Sequence, residues 1–152
     1  MSFTAADVKK LREETGAGMM DCKKALDEAK GNFDEAKEIV RQKGLARAEK
    51  KADRETKEGY IASYVHATGK TAALVEILCE TDFVARNEEF QSMARDVAMQ
   101  VVAMTPADTE ELLVQDFIKD PSMTVQDVVK GLSGKIGEKF EINRFVRYTV
   151  GE

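Results

Sequence analysis

The eight residues TDFVARNE, Thr81 to Glu88, lie between a predicted strand and a predicted helix. An apolar run that ends at Cys79 predicts the strand, and apolar residues three and four positions apart from Asn87 to Met104 predict the helix. A turn at the end of a rigid strand can hold a side chain towards a partner more firmly than a loop can. Asp82 and Phe83, a carboxylate beside a large aromatic ring, are therefore candidates for recognition of a partner.

Phe83 has a second interpretation, as a core residue. It lies seven residues before Phe90, and positions 83, 90, 94, 97, 101 and 104 share one face of a helix. On this pattern alone, a core position is favoured. Asp82 likewise has a structural interpretation, as an acidic residue in the first turn of a helix, where it stabilises the positive end of the helix dipole.

The residues around this stretch predict an α+β fold. Tyr60 to His66 and Thr71 to Cys79 are rich in strand-forming residues and flank a short turn, which predicts a hairpin. The second strand is apolar on both faces, so we expect it at the centre of an antiparallel sheet of about three strands packed against helices. The other predicted elements are a short helix near 110–118, a helix capped by Thr124 with Asp127, and a last strand at 140–150.

Three short amphipathic helices are predicted in the first 43 residues. Thr4 and Asn32 are placed to cap the first and the third, and Gly31 ends the second. Three such helices form a minimal bundle, near the lower size limit for independent folding. A charge-rich, partly helical stretch follows. The predicted organisation is a three-helix domain at 1–43, a charged linker at 44–58 and an α+β core domain at 59–152, which would also be the dimerisation domain.

The composition limits the classes of partner. The 152 residues carry a net charge of −5, and acidic residues alternate with basic ones in the linker, whereas a nucleic-acid surface needs clustered, uncompensated Lys and Arg. The most apolar stretch, 71–79, is too short to cross a bilayer, and the N-terminus does not resemble a signal peptide. Cys22 and Cys79 are predicted to be reduced thiols of a cytoplasmic protein. Direct contact with nucleic acid or membrane is not expected.

Covalent chemistry is not predicted either. Cys79 and the single histidine, His66, are the one candidate nucleophile–base pair, but Cys79 lies in an apolar strand, where an inert buried thiol is usual. Clusters with metal-ligand spacing are absent from the sequence, and Gly16-Ala17-Gly18 lacks the Lys-Ser/Thr of a phosphate loop. We therefore expect no catalytic residue, no metal and no cofactor. Recognition remains as the function.

Met19 and Met20 open the second helix, directly after the Gly-Ala-Gly turn. One interpretation places both in the core of the bundle, and Met19 fits its apolar stripe. The other makes them an adaptable apolar contact patch, because flexible thioether side chains are frequent at interfaces. The pattern leaves both interpretations open.

Two blocks of the sequence resemble the signatures of the elongation factor Ts family: TDFVARNE (81–88) and TGAGMMDCKKAL (15–26). The resemblance covers residues 5–105 and about 115–150. It implies a guanine-nucleotide exchange factor of translation elongation. Such a factor binds elongation factor Tu, with GDP or without nucleotide, disturbs its magnesium and phosphate site, and promotes GDP release so that GTP can bind. The predicted N-terminal domain is similar to a ubiquitin-associated bundle.

The same resemblance implies roles for particular residues. In the family, one segment enters the partner as a wedge near its magnesium ion. Its positions correspond here to Thr81, Asp82, Phe83 and Val84. Arg12, Met19 and Met20 in the bundle correspond to residues with which the family contacts its partner. Ile136 and Gly137 correspond to a second contact loop of the family.

The sequence departs from longer relatives in its middle. Between Pro106 and Gln115 it has a handful of residues where those relatives carry a coiled-coil insertion, and it has one core module of a kind that the longest members carry twice. Single-core relatives resemble homodimers, so we expect a homodimer here. The alternative function is a non-catalytic interaction module whose three-helix domain binds a ubiquitin-like or nascent-chain target.

Overall fold

A computed structural model describes residues 3–152. It confirms the α+β class, with helices at the N-terminus followed by a three-stranded antiparallel sheet and further helices. The helices are α1 (Ala5–Thr15), α2 (Met19–Glu28), α3 (Phe33–Glu49), α4 (Asp82–Ala85), α5 (Glu88–Met104), α6 (Thr109–Val114) and α7 (Val125–Ile136). The strands are β1 (Glu58–Val65), β2 (Thr71–Cys79), β3 (Asp116–Phe117), β4 (Asp120–Thr124) and β5 (Glu141–Thr149).

The first and third helices begin at the capping residues that the sequence predicts. Thr4 caps α1 through a reciprocal capping box, in which its backbone N–H donates to Asp7 Oδ2 at 2.7 Å. Asn32 caps α3 by accepting a hydrogen bond from the backbone N–H of Glu35 at 3.1 Å. The helices enclose a small separate core that includes the fully buried side chains of Leu11 and Cys22.

Helix α3 extends beyond the predicted bundle. It continues through Gly44 to Glu49, into the segment predicted as a linker, and packs along α7. The division of the chain at 43 and 58 remains a prediction, but one helix runs across its first boundary. The charge-rich sequence conceals this extension because the one buried side chain of α3 beyond position 43 is the small Ala48.

The three-stranded sheet has the order β1-β2-β5, which confirms the central position predicted for β2. Along β2, alternate residues from Ala73 to Cys79 are buried beneath α5. Helix α5 contributes the predicted apolar stripe except for Met104, which lies at the end of the helix and is 48% exposed. The fully buried ring of Phe90 meets Phe140 edge to face, with 4.8 Å between the ring centroids. This layer of helix on sheet is the main core of the molecule.

The segment after α5 differs from its prediction. The helix expected near 110–118 is the shorter α6, and the residues that follow it form the β3–β4 hairpin. A tertiary interaction explains the difference. The fully buried side-chain amide of Gln100 on α5 donates to the backbone carbonyl of Asp116 and accepts from the N–H of Ile118, each at 2.9 Å. Thr124 and Asp127 then form the predicted capping box of α7.

The sheet face that points away from α5 carries exposed apolar side chains. We call this surface the outer sheet face, and its exposed large apolar residues are Ile61, Val65, Leu74, Val146 and Tyr148. Their exposed fractions range from 37% for Val146 to 71% for Tyr148. A contiguous apolar surface on a sheet is typical of a contact with another protein chain.

Helices α3 and α7 approach each other at two glycines. A Cβ atom added to Gly134 would lie 2.7 Å from the backbone carbonyl carbon of Gly44, closer than real Cβ contacts come. A Cβ atom added to Gly131, one turn earlier in α7, would meet nothing within 4 Å. The helix that joins the bundle to the core is therefore held against α7 by backbone contact at Gly134, which only glycine permits.

We expect Gly134→Ala to lower the free energy of unfolding by about 1–3 kcal/mol, because α3 and α7 must separate to admit the methyl group. The matched control is Gly131→Ala, which we expect to raise the free energy of unfolding by up to about 1 kcal/mol, because alanine favours a helix over glycine. Urea unfolding of both variants measures the difference. Equal effects would contradict the close contact.

Candidate partner-binding site

Two helix caps shape the stretch between β2 and α5. Thr81 begins the short helix α4, since its hydroxyl accepts a hydrogen bond from the N–H of Val84 at 3.4 Å. Asn87 then returns to an extended conformation, with ψ at 132°, and its side chain accepts from the N–H of Phe90 at 3.1 Å to begin α5. The TDFVARNE stretch therefore forms a separate helical turn and is not the first part of α5.

This turn places Phe83 outwards and Val84 inwards. The side chain of Phe83 is 86% exposed, whereas Val84 is 9% exposed and packs into the main core. The interpretation of Phe83 as a core residue is wrong, because α5 begins only at Glu88 and the helical face counted back from Phe90 is interrupted at Asn87. The protein thus presents a large aromatic ring to solvent at the end of its central strand.

Asp82 lies beside the ring, in the first turn of α4. Its carboxylate forms an ion pair with Arg86 at 3.1 Å, and both side chains are more than half exposed. Such an exposed pair contributes little to stability. The carboxylate of Asp82 therefore remains accessible to hydrogen-bond donors of a partner.

The base of the turn is held by the carboxylate of Glu138, which lies just beyond α7. Its Oε1 atom accepts hydrogen bonds from the backbone N–H groups of Glu80 and Thr81, at 3.0 and 3.1 Å, and its Oε2 atom accepts from the Thr81 hydroxyl at 2.6 Å. Three donors of the turn thus share one carboxylate from a segment 57 or 58 residues further along the chain.

Glu80, at the entrance of the turn, accepts a hydrogen bond in return from the segment that follows α7. Its Oε2 atom accepts from the backbone N–H of Lys139 at 2.6 Å and from the guanidinium of Arg54 at 3.4 Å, and Arg54 also donates to the carbonyl of Gly137 at 3.2 Å. We call Glu80, Glu138 and Arg54 together the carboxylate clamp. The sequence alone does not reveal it, because acidic residues in loops carry no local signal for hydrogen-bond partners so far away along the chain.

The clamp connects two of the predicted contact regions. Gly137 ends α7 in the left-handed conformation, with φ at +94°, and is exposed. Ile136 is half-buried and packs against the main core. The structure thus joins the Ile136–Gly137 loop to the turn that carries Phe83. The roles of both as partner contacts remain predictions.

The third predicted region is the start of α2. Met19 and Met20 are 57% and 62% exposed, so the interpretation of these methionines as core residues is wrong; Cys22 and Leu26 fill the interior instead. Arg12 is also exposed, in the last turn of α1. The two methionines form an exposed apolar pair at the beginning of a helix.

A lysine links this region to the others. The side chain of Lys135, near the end of α7, lies against Gly16 in the loop before α2, and its ammonium group pairs with Glu89 in the first turn of α5. Lys135 thus connects the end of α7 both to the loop before Met19 and to the start of α5.

The geometry does not support catalysis by Cys79. The strand register pairs Val65 with Ala72 at one end of the hairpin and Glu58 with Cys79 at the other, which separates His66 from Cys79 by the length of the hairpin. Burial, and next the negative charge of Glu138, raise the pKa of the Cys79 thiol to about 11, so the thiol is protonated at neutral pH. Both cysteines are free and buried.

Residues 3–152 contain neither a metal-binding cluster nor a membrane-spanning helix. Within that range, His, Cys, Asp and Glu side chains do not form a group of three or more that is placed to hold a metal ion. Nor is any helix between those residues long and apolar enough to cross a membrane. The exposed groups described above are suited to binding a protein surface.

Comparisons with known proteins agree on one family. Residues 80–152 match the family model described as elongation factor TS. The sequence is 44% identical to the elongation factor Ts of Synechococcus sp. (strain RCC307), in an alignment that covers 99% of this chain and 90% of the relative. It is 43% identical to the elongation factor Ts of Nitratidesulfovibrio vulgaris (strain DSM 19637 / Miyazaki F), in an alignment that covers 99% of this chain and 98% of the relative. The elongation factor Ts of Fervidobacterium nodosum (strain ATCC 35602 / DSM 5306 / Rt17-B1) is 42% identical, with both chains covered completely. The first alignment spans 196 positions against the 152 residues of this chain, so the relative fills at least 44 positions that this chain lacks.

Proposed function

The chain belongs to the elongation factor Ts family of translation elongation factors, and we propose that it is a guanine-nucleotide exchange factor for elongation factor Tu. One observation of the structure carries this proposal most: a phenyl ring that is 86% exposed at the end of the central strand, on a turn with a cap at each end. A large apolar side chain held in water in this way is suited to entering a partner.

The mechanism follows from thermodynamic linkage. A factor that weakens GDP binding must itself bind more weakly when GDP and Mg²⁺ are present, because the coupling between two ligands of one protein is reciprocal. The factor therefore acts by binding best to a conformation of elongation factor Tu in which the groups around magnesium and phosphate are displaced. GTP then occupies the vacated site and expels the factor. The exchange involves no covalent step and no cofactor of the factor itself.

We assign the displacement to Phe83. Packed protein interiors shift between discrete arrangements and do not deform smoothly, so a ring inserted between elements of the partner changes their positions as units. Asp82 fixes the angle of entry by accepting hydrogen bonds from the partner. Thr81 and Val84 fix the turn that carries Phe83. Thr81 caps α4, and Val84 is buried in the core.

Docking is assigned to two further surfaces. Met19 and Met20 supply an exposed apolar contact for the GTP-binding domain of the partner, with Arg12 nearby in sequence on α1. Ile136 and Gly137 supply a second contact, next to the clamp. These contacts hold the partner while the wedge displaces its nucleotide site.

The decisive experiment is release of a fluorescent GDP from elongation factor Tu, followed by stopped flow. The chain is expected to accelerate release by orders of magnitude over the spontaneous rate. Binding to elongation factor Tu without faster release would contradict the exchange function and leave a docking protein.

The exposure of Met19 and Met20 also supports the alternative function, a non-catalytic interaction module. In that case the three-helix part binds a ubiquitin-like or nascent-chain target. Capture of such a target that depends on Met19 and Met20 but is unaffected by Phe83→Ala would favour the alternative.

We further propose that the protein is a homodimer formed through the outer sheet face. Leu74 lies on the central strand of this face, and its neighbours across the sheet are Ser63 and Val146. Two copies packed face to face would cover the exposed apolar side chains of both sheets.

Leu74→Lys is expected to weaken self-association by about tenfold or more, because an unpaired ammonium group would become buried between the sheets. The control is Val114→Lys, which introduces the same charge at an apolar residue that is 67% exposed on α6, outside the sheet. Sedimentation equilibrium measures both variants. A wild-type chain that stays monomeric at tens of micromolar would contradict the proposal.

For the whole protein, we propose action in the cytoplasm, without direct contact with nucleic acid or membrane. We keep the division into a three-helix domain, a charged linker and a core domain as a proposal. Limited proteolysis between 50 and 58, after the end of α3, tests this division.

A further inference from the structure

We propose that Glu138 and Glu80 are positioning residues for nucleotide exchange, which hold the turn that carries Phe83 and the Ile136–Gly137 loop as one rigid unit. The inference rests on the proposed exchange function and adds to it two residues outside the predicted wedge and the predicted partner contacts. It explains how so short a turn can act as a wedge.

Helix α4 cannot hold its own shape. It has four residues, and a single helical turn is unstable in water because few hydrogen bonds offset the loss of backbone freedom. Of its side chains, Val84 is anchored in the core, but Asp82 and Phe83 are exposed. The entrance of the turn, at Glu80 and Thr81, therefore needs an external support.

The clamp supplies this support through ionised groups. Hydrogen bonds from N–H or O–H groups to a carboxylate are stronger than those between neutral groups. Glu138 accepts three of them, from two consecutive backbone amides and the hydroxyl of the capping residue Thr81. Because the same hydroxyl caps α4, the carboxylate fixes the orientation of the helix as well as its starting point.

Glu80 makes the connection mutual. While Glu138 holds the amides of the turn, Glu80 holds the amide of Lys139, the next residue after Glu138. The Glu80 side chain is only 20% exposed, which limits the competition of water for its oxygens. Arg54 balances its charge and at the same time ties down the carbonyl of Gly137. Neither loop can move away without breaking hydrogen bonds of the other.

The consequence for exchange is pre-organisation. A ring held in its entry direction loses little conformational entropy on insertion, whereas a mobile ring must be ordered at that step. Release of the clamp should therefore slow GDP release at saturating factor and leave docking through Met19 and Met20 almost unaffected.

The mobility of the turn is measured first in the free protein. The chain contains no tryptophan, so Phe83→Trp introduces a single fluorescent reporter at the tip of the turn. In that background, Glu138→Ala is expected to increase the amplitude of nanosecond anisotropy decay. Glu138→Gln, which keeps one acceptor oxygen for the two amides, should restore most of the order. Glu141→Ala removes the same charge from an exposed residue three positions further on and should change nothing.

The same clamp variants, with Phe83 intact, are then tested for GDP release from elongation factor Tu at increasing factor concentration. Glu138→Ala should lower the maximal rate on the order of tenfold, as expected for the loss of hydrogen bonds to a charged group, with a change below about twofold in the concentration for half-maximal rate. Glu138→Gln should recover most of the rate.

The outcomes separate this inference from the proposed function. Unchanged anisotropy in Glu138→Ala, or increased mobility with an unchanged maximal rate, would overturn the positioning role. A wild-type chain that does not accelerate GDP release overturns the exchange function, and the positioning role with it, whatever the anisotropy shows. If Glu138→Ala does not fold, Arg54→Met serves instead, since Arg54 is half exposed. Arg54→Met should raise the mobility of the turn and lower the maximal rate, both by less than Glu138→Ala. If neither quantity changed, the positioning role of the clamp would be contradicted.

Discussion

Replacement of Phe83 by alanine is expected to remove most of the acceleration of GDP release and to leave the stability of the protein nearly unchanged. The ring is 86% exposed in the free protein, so its loss costs the folded state little. In the proposed complex with elongation factor Tu the ring would be a buried aromatic anchor, and truncation of such an anchor typically costs about 2 kcal/mol or more, which corresponds to roughly 30-fold in rate.

Stopped-flow release of fluorescent GDP measures this effect, and urea unfolding of the same variant measures its stability. The control is Val114→Ala, which removes an exposed apolar side chain outside the proposed site. If Phe83→Ala exchanged nucleotide as fast as the wild type, the ring would not be a wedge.

Phe90→Ala, seven residues further along, is expected instead to lower the stability of the protein strongly. Its ring is fully buried and packs edge to face against Phe140. Loss of a buried phenylalanine leaves a cavity and typically lowers the free energy of unfolding by about 3–5 kcal/mol. Since small domains have only about 5–15 kcal/mol of stability, much of the protein would unfold on mild heating.

Urea and thermal unfolding of Phe90→Ala, compared with Phe83→Ala, test this contrast between chemically identical substitutions. We expect a change of less than about 0.5 kcal/mol for Phe83→Ala. A loss of less than about 1 kcal/mol for Phe90→Ala would contradict the packing described for the core.

The contrast between these phenylalanines also shows what a periodic pattern cannot resolve. Both fall on one helical face when positions are counted through the sequence, and pattern alone favours burial for both. The difference arises at Asn87, whose extended backbone separates α4 from α5 and lets Val84 take the inward position. The capping residue Asn87 thus determines that Val84, and not Phe83, is buried.

Met19 shows the same limit. It fits the apolar stripe of α2, yet it is 57% exposed, because the small core of the bundle is already filled by Cys22, Ala25 and Leu26. A stripe indicates which side of a helix faces inwards, but the amount of core available decides how far along the helix burial extends.

The sequence by itself determined the helix caps, the hairpin, the central position of β2, the α+β class and the two blocks that resemble a family. These features depend on residues within a few positions of each other, or on the composition of a single strand. The clamp around Thr81, the β3–β4 hairpin ordered by Gln100, and the contact of Gly134 with Gly44 were decided only by the tertiary structure. Each of these three features joins groups that are far apart along the chain. Such groups stabilise the protein only once folding has brought them together.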